Sequence, residues 1–205
     1  MKKLSGLYAI TNETLMPEAH FIRLAEAAIS SGISVLQYRD KSTNIQKRQR
    51  QASALKKLCD QHAVIFIIND DINLAQQVDA DGVHIGKHDV DLNVARKQLG
   101  DNKIIGISCY NQLSLAKNAV ANGADYIAFG RFFDSSIKPT AAQANIQLIS
   151  EYKKKFNTPL CCIGGITHQN YSPLVQAGTD MYAVISDIFC EPTSAAISSA
   201  CRLFT

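Results

Sequence analysis

The sequence predicts an α/β fold, a single-domain (β/α)8 TIM barrel, from three observations. Short apolar runs alternate with amphipathic segments along the whole chain, as expected for parallel strands that alternate with helices. Eight such units fit into 205 residues, near the compact end of this fold. A helical segment also follows the last run, which favours a closed barrel over an open doubly wound sheet. We expect one catalytic domain over residues 1–205.

The predicted elements share one pattern, an apolar run ended by polar residues and then a helical repeat. The predicted strands cover residues 7–10, 34–38, 64–68, 82–85, 103–109, 125–130, 159–163 and 181–185. The predicted helices cover residues 18–31, 45–62, 73–78, 92–99, 112–122, 142–155, 170–177 and 192–203. The glycines do not form the G-x-G-x-x-G pattern of dinucleotide-binding folds, which argues further against the open sheet.

Composition is typical of a globular protein, with 46% hydrophobic and 19% charged residues. The net charge of +3 is too small to indicate nucleic acid or a membrane surface as partner. A basic cluster of Lys47, Arg48 and Arg50 is expected to form a solvated helix face. No stretch approaches the roughly 20 apolar residues of a membrane span, and no secretory signal is apparent. We expect a cytoplasmic enzyme.

The 6 cysteines do not include a C-x-x-C pair, so neither a zinc site nor a redox motif is indicated. Two of them, Cys161 and Cys162, lie inside an apolar run. We therefore expect buried, reduced thiols rather than disulfides.

Carboxylates follow two neighbouring predicted strands. Asp70 and Asp71 come directly after the third strand, and Asp89 follows the fourth. Because the carboxyl ends of parallel strands meet at one rim, Asp70 and Asp89 can share a hard cation such as Mg²⁺. The alternative is that these residues cap helices, which we favour for Asp71 and leave open for the other two.

The second strand ends in Gln37-Tyr38-Arg39-Asp40-Lys41. Strand alternation directs Gln37, Arg39 and Lys41 inward. An inward arginine and lysine suit a diphosphate. The alternative is an internal salt bridge from Arg39 to Asp70 or Asp89.

Further rim residues favour phosphate chemistry. The loop after the sixth strand carries Ser135 and Lys138 and could close over a phosphate, or be a plain surface loop. Gly164-Gly165 and Ser186 end the last two strands, where backbone N–H groups often bind phosphate; a tight turn is the alternative for the glycines.

Two other strand residues have open or ordinary interpretations. Ser108 could contact a ring or a phosphate, or cap the next helix. His84 is more simply a core histidine with satisfied hydrogen bonds.

Taken together, ordered motifs across nearly the whole chain resemble those of the thiamine-phosphate synthase family. They are Leu7-Tyr8-Ala9-Ile10-Thr11, the pentapeptide 37–41, Ile68-Asn69-Asp70, Asp81-Gly82-Val83-His84-Ile85-Gly86 with Asp89, Gly106-Ile107-Ser108, the loop ending in Lys138-Pro139, Ile163-Gly164-Gly165-Ile166 and Ala183-Val184-Ile185-Ser186. The resemblance implies a transferase that joins 4-amino-2-methyl-5-hydroxymethylpyrimidine diphosphate to 4-methyl-5-(2-phosphoethyl)thiazole. The implied products are thiamine phosphate and diphosphate, and the likeness also suggests a homodimer.

The resemblance also implies residue roles. By that likeness Asp70 and Asp89 hold Mg²⁺, while Arg39, Lys41, Lys138 and Ser108 are catalytic. The implied substrate-binding residues are Gln37, Arg39, Lys41, Asn69, Ser108, Ser135, Ser136, Ile137, Lys138, Gly165, Ile185 and Ser186.

The chain departs from the family pattern at three places. Ile137 replaces a usual threonine, Lys87 and His88 replace a glutamine and an acidic residue, and Tyr110 replaces the histidine expected in a thiazole tautomerase. The alternatives kept open are a metal-independent thiazole isomerase on the same barrel and a non-catalytic barrel that binds thiamine precursors.

Overall fold

The computed structural model describes residues 3–86, 89–134 and 142–204 and shows a closed barrel of eight parallel strands. The strands are β1 Gly6–Ile10, β2 Val35–Tyr38, β3 Ile65–Asn69, β4 Gly82–Ile85, β5 Ile104–Tyr110, β6 Tyr126–Phe129, β7 Leu160–Ile163 and β8 Met181–Val184. Each strand pairs with its neighbours in sequence, and β1 closes the barrel against β8 with Tyr8 opposite Ala183. The predicted (β/α)8 fold is confirmed.

Helices surround the barrel. Within the described residues they are α1 Phe21–Ile29, α2 Ile45–Gln61, α3 Ile72–Gln77, α4 Leu92–Leu99, α5 Leu113–Ala121, α6 Gln147–Lys153, α7 Ser172–Gln176, α8 Ser186–Phe189 and α9 Ser194–Arg202. None of these helices combines the length and the apolarity that crossing a bilayer requires.

The predicted helices are wrong at three places. The helix expected over 142–155 begins only at Gln147, because Ala142 and Ala144 make backbone hydrogen bonds to Arg131 in the loop after β6. A 3₁₀ turn, Glu18–His20, occupies the start of the helix expected over 18–31. The short helix α8 directly after β8 is not indicated by the sequence, since four residues are too few to show a helical repeat.

Strand alternation divides the buried side chains into two layers. An inner cluster fills the barrel and an outer cluster lies between strands and helices. The inner cluster contains Tyr8, Ile10, Val35, Ile65, Ile67, Tyr126, Ala128, Cys161, Met181 and Ala183. Two tyrosines in an otherwise largely apolar interior are the first sign of a polar site inside the barrel.

Three aspartates tie together the amino-terminal ends of the strands. Each precedes an even-numbered strand, and its Oδ2 accepts the N–H of a residue at the start of the strand before, at 2.7–2.8 Å. The trios of aspartate, N–H donor and paired base are Asp81, Phe66 and Lys56; Asp125, Ile105 and Arg96; and Asp180, Leu160 and Lys153. This end of a barrel serves stability, so these carboxylates are structural and leave the opposite rim for chemistry.

Two expectations about surface chemistry need correction. Cys190 is exposed, although the other cysteines are buried, and all are free thiols as expected. Lys47, Arg48 and Arg50 do not form a simple solvated face, because each pairs with an acidic side chain. The Lys47 side chain is only 15% exposed and lies 2.7 Å from Asp40 Oδ2, whose side chain is 1% exposed.

Candidate active site

A cavity of about 400 Å³ opens at the carboxyl-terminal ends of the strands. Its walls include all the predicted site residues that the structure describes, namely Gln37, Arg39, Lys41, Asn69, Asp70, Asp89, Ser108, Gly165, Ile185 and Ser186. The predicted residues Ser135, Ser136, Ile137 and Lys138, and the departures Lys87 and His88, lie outside the described residues. The rim at which the strand ends converge therefore surrounds one shared space.

The carboxylates of Asp70 and Asp89 meet at this rim. Asp70 has a φ of +63° directly after β3, and its N–H donates to the carbonyl oxygen of His84 on β4 at 2.9 Å. Each of the two side chains is near enough to shift the pKa of the other, and the Gly86 N–H donates to Asp89 Oδ2 at 2.7 Å. The two acids thus come from adjacent strands and face a common point.

Neither of these acids caps a helix. Asp71 caps α3 by accepting the Leu74 N–H, and Asp91 caps α4 by accepting the Asn93 N–H. The cap interpretation therefore holds for Asp71 and is wrong for Asp70 and Asp89.

The pKa values of the two carboxyl groups shift in opposite directions from the ordinary value. Burial raises the pKa of Asp89, and the adjacent Asp70 raises it further against the lowering effect of the Gly86 N–H. Burial alone would raise the pKa of Asp70 as well, but Lys41, Asp89 and the field of His84 together hold it below its ordinary value. Two carboxylates so near each other disfavour being charged together, so the pKa of Asp89 rises beside the more acidic Asp70.

The donor set fits Mg²⁺. This ion prefers oxygen ligands and is commonly held by one or two carboxylates, with water and substrate phosphates completing the shell. Asp70 and Asp89 supply such a pair, and a cation between them would offset the repulsion of their charges. Among residues 3–86, 89–134 and 142–204, no group of three or more His, Cys, Asp or Glu side chains converges as a metal cage.

Lys41 lies beside this pair. Its Nζ lies 2.5 Å from Asp70 Oδ2, and the Asn69 side-chain amide donates to the same oxygen at 2.6 Å. Arg39 instead lies 4.0 Å from Glu13. Among the described residues, Arg39 forms no salt bridge with Asp70 or Asp89, so that alternative is wrong.

The segment that carries Arg39 and Lys41 is anchored by contacts on the side that faces α2. Tyr38 OH donates to Gln51 Oε1 at 2.9 Å, and Asp40 accepts the Ser42 N–H at 2.7 Å while pairing with Lys47. These residues alternate with Gln37, Arg39 and Lys41 and point toward α2. These contacts hold the segment at the rim, and they do not involve the charges of Arg39 and Lys41.

The cavity floor is a chain of hydrogen bonds between inward side chains. The chain runs Gln37 Nε2–Tyr8 OH at 2.7 Å, Tyr8 OH–Tyr126 OH at 2.9 Å, Tyr126 OH–His84 Nδ1 at 2.9 Å and His84 Nε2–Ser108 Oγ at 2.8 Å. His84 is thus satisfied through both ring nitrogens, as expected, but it also lines the cavity.

Two floor residues, Tyr8 and Tyr126, are not among the site residues predicted from the sequence, and one alternative for Ser108 is wrong. Alternation along β1 and β6 directs Tyr8 and Tyr126 inward, and a phenol in a barrel interior is the signal that could find them. Ser108 lies inside β5 and bonds His84, so it does not cap α5, whose cap residue is Gln112.

The glycine pair after β7 permits a close backbone approach. Gly164 and Gly165 have φ values of +105° and +63°. A Cβ at Gly164 would lie 2.3 Å from Cβ of Arg131, and one at Gly165 would lie 2.2 Å from the carbonyl oxygen of Asp134. Only glycine lets the loop after β6 pass here, so the pair shapes the cavity wall opposite the acids.

Comparison with known proteins agrees with this arrangement. A protein family described as thiamine monophosphate synthase matches residues 7–188. The chain belongs to the thiamine monophosphate synthase family. It is 44% identical to a thiamine-phosphate synthase of Alcanivorax borkumensis over 98% of this chain and 93% of that protein. It is 48% identical to one of Saccharophagus degradans over 90% of this chain and 86% of that protein.

A solved structure extends the likeness to three dimensions. Thiamine phosphate pyrophosphorylase from Pyrococcus furiosus superposes with a TM-score of 0.87 at 27% identity, over 99% of this chain and 95% of that one. Membership of the thiamine monophosphate synthase family makes the protein an enzyme of the transferase class, as the sequence predicts. The relatives and the fold together support a thiamine-phosphate synthase function.

Proposed function

We propose that the protein joins 4-amino-2-methyl-5-hydroxymethylpyrimidine diphosphate to 4-methyl-5-(2-phosphoethyl)thiazole, giving thiamine phosphate and diphosphate. The observation that carries the proposal is that Arg39 and Lys41 share one cavity rim with the neighbouring carboxylates Asp70 and Asp89. Such a rim can hold a diphosphate between protein cations and a metal ion.

Asp70 and Asp89 would hold Mg²⁺ in this proposal. When bound, the ion supplies positive charge to the oxygens of the departing diphosphate. Asn69 keeps the Asp70 carboxylate oriented through its amide hydrogen bond. Asp89 is oriented in the same way by the Gly86 N–H.

The chemistry is a substitution at the pyrimidine methylene. The carbon–oxygen bond to diphosphate breaks, and its electron pair leaves with the diphosphate. The thiazole nitrogen then donates its lone pair to the methylene carbon, so no proton has to be moved. Arg39 and Lys41 line this cavity. They would stabilise the charge that grows on the leaving diphosphate, a kind of electrostatic stabilisation that often contributes most to such reactions.

The second substrate would lie on the opposite wall. Gly165, Ile185 and Ser186 line that part of the cavity, and the Asp187 carboxylate binds the N–H and ring of His168, tying α8 to the loop after β7. A phosphate held there would bring the thiazole ring to face the pyrimidine. Holding two reactants in one orientation removes much of the entropy cost of meeting.

The decisive experiment mixes both phosphorylated substrates with the purified protein and Mg²⁺. We expect thiamine phosphate and diphosphate in equal amounts, measured by chromatography and ³¹P NMR, and no product with either substrate alone. Asp70→Ala should lose at least about a hundredfold in turnover. The matched control is Asp91→Ala, which removes a carboxylate that caps α4 outside this cavity and should stay near the wild-type rate.

Three results would overturn the proposal. One is no product at saturation by both substrates. Another is full activity in Asp70→Ala. The third is conversion of the thiazole alone in the presence of a chelator, which would identify the isomerase. Tight calorimetric binding of both substrates without turnover would instead identify a precursor-binding barrel. The cytoplasmic location and the homodimer stay predictions.

A further inference from the structure

The hydrogen-bond chain on the cavity floor joins five strands. It begins at Gln37 on β2 and passes through β1, β6 and β4 to Ser108 on β5, with every link between 2.7 and 2.9 Å. Gln37, Tyr8 and Tyr126 are buried, with 3%, 1% and 0% of their surface exposed. The middle of the chain is therefore shielded from water that could exchange with its hydrogen bonds.

The hydrogens in such a chain can point in only two concerted ways. Each phenol has one hydrogen, so a tyrosine that accepts from one neighbour donates to the other. Burial raises the pKa of Tyr8 and of Tyr126 above the ordinary phenol value, so both keep their hydrogens. A neutral imidazole likewise donates through one nitrogen and accepts through the other. The direction at one end therefore sets the direction at the other end.

Gln37 sets the direction. Its Nε2 faces the Tyr8 oxygen, so Tyr8 accepts there and must donate to Tyr126. Tyr126 then donates to Nδ1 of His84, which leaves the imidazole hydrogen on Nε2. That hydrogen is donated to Ser108 Oγ, so the hydroxyl hydrogen of Ser108 has no place in the chain.

We propose that this relay locks His84 in the Nε2–H tautomer and thereby fixes the Ser108 hydroxyl as a hydrogen-bond donor toward the cavity. Tyr8, Tyr126 and His84 are then positioning residues, since they act on a bound molecule through Ser108. In the same arrangement the carbonyl oxygen of Gln37 is left to accept. The floor offers a donor at one end and an acceptor at the other.

This polarity selects a class of ligand. A bound ring must present an acceptor, such as an sp² nitrogen, to Ser108 and an N–H donor to Gln37. The match to an aminopyrimidine rests on the proposed function, whereas the direction of the relay does not. An analogue with a donor at the Ser108 end leaves two hydrogens opposed, a mismatch that polar sites reject strongly.

The tautomer can be measured without any ligand. Nitrogen-15 NMR of the histidine rings, at a pH of about 8.5 where an ordinary imidazole is neutral, distinguishes Nε2–H from Nδ1–H. The chain has 5 histidines, and His84→Gln assigns the signal. We expect the Nε2–H form. A dominant Nδ1–H form would overturn the proposal.

Two variants test the cause. Gln37→Glu places an acceptor-only carboxylate against Tyr8, which must then donate to it, and we expect the His84 tautomer to reverse. Tyr126→Phe removes the central link of the chain and should give a mixture of His84 tautomers. This variant keeps the test available if Gln37→Glu does not fold. The matched control is Tyr182→Phe, a buried tyrosine that donates to the Phe204 carbonyl oxygen outside this cavity and should leave the His84 signal unchanged.

Kinetics separate positioning from general destabilisation. Tyr126→Phe should raise the KM of the pyrimidine substrate about tenfold, or about 1.4 kcal/mol, with the KM of the thiazole substrate unchanged. Equal effects on both would overturn the positioning role. If the wild-type protein shows no turnover, the proposed function fails while the tautomer result stands. If the enzyme is active but His84 has the opposite tautomer, only the relay proposal fails.

Discussion

Lys41 Nζ lies 2.5 Å from Oδ2 of Asp70, and this ion pair joins the predicted diphosphate site to the predicted metal site. The Lys41 side chain is 53% exposed, so the ammonium is held by one carboxylate and remains accessible from the cavity mouth. The positive charge of Lys41 can therefore act on either site. It pairs with Asp70 in the structure, and under the proposed function it would turn to the diphosphate once a metal ion is held by the two acids.

Lys41→Gln should change turnover and metal affinity in opposite directions. Turnover should fall by about 10²–10³, because one charge that stabilises the leaving diphosphate is lost. The Mg²⁺ concentration for half-maximal rate should fall as well, since Asp70 no longer has a competing cation. Both are read from rate measurements over a Mg²⁺ series. Lys103→Gln, which breaks the ion pair with Asp79 far from the cavity, should change neither. A rise in the Mg²⁺ requirement would contradict this role.

Asp89→Asn should raise the Mg²⁺ requirement by at least about tenfold, because one of two charged ligands becomes a neutral amide. The amide can still accept the Gly86 N–H, so the local backbone should be retained. The measurement is the same Mg²⁺ series, together with a thermal melt to show that the fold is intact. Asp91→Asn is the matched control, because Asp91 is two residues from Asp89 in the sequence but caps α4 and is not part of the proposed metal pair. An unchanged requirement in Asp89→Asn would remove this residue from the metal site.

Gly165→Ala should weaken the site for the second substrate. The added Cβ would lie 2.2 Å from the carbonyl oxygen of Asp134, so the loop after β6 must move. Gly100→Ala is a matched control, because Gly100 also has a positive φ, +82°, but nothing lies within 4 Å of its added Cβ. Both variants should lose about 1 kcal/mol of stability from the strained backbone, and Gly165→Ala should lose more because its Cβ also overlaps the backbone of Asp134.

Kinetic measurements distinguish Gly165→Ala from Gly100→Ala. Only Gly165→Ala should raise the KM of the thiazole substrate, and we expect a change of about tenfold or more. Equal KM values in the two variants would show that close packing against Asp134 does not shape this subsite.

The barrel and most of the rim are predictable from sequence because strand alternation and strand ends are local properties. Asp70 and Asp89 emerge in this way, since each directly follows an apolar run and parallel strands end on one side. The competing cap interpretation could not be resolved locally. It depends on which residue caps each helix, Asp70 or Asp71 before α3 and Asp89 or Asp91 before α4, and helix ends are the least regular part of the pattern.

The cavity floor is harder to predict because it is made by contacts distant in the chain. Tyr8 and Tyr126 are 118 residues apart, and only closure of the barrel brings their hydroxyls within 2.9 Å. The late start of α6 has a similar cause. Residues 142–144 fit the helical repeat in the sequence, but the backbone groups of Ala142 and Ala144 pair with Arg131 across the loop. Tertiary hydrogen bonds therefore override local preference there.

Asp40→Asn should destabilise the fold in a pH-dependent way. Burial alone would raise the pKa of Asp40, but hydrogen bonds and charge from Lys47 and the hydrogen bonds of Ser42 hold it below its ordinary value. A lowered folded-state pKa gives stability that is present above the unfolded pKa, about 3.9, and is lost as the pH falls through the folded-state value. Removing the charge leaves Lys47 poorly paired in a largely buried position, which should cost about 2 kcal/mol at pH ~7.

The measurement is urea unfolding of both proteins at neutral and acid pH. The free-energy difference between wild type and Asp40→Asn should be constant near neutrality and shrink below a pH of about 4. Asp60→Asn is the control, because Asp60 is 51% exposed and its pair with Lys56 should contribute less than about 1 kcal/mol. A difference that persists unchanged in acid would show that Asp40 stabilises the fold by packing rather than by charge. Since Asp40 anchors the segment between Arg39 and Lys41, its loss should also raise the KM of the pyrimidine diphosphate.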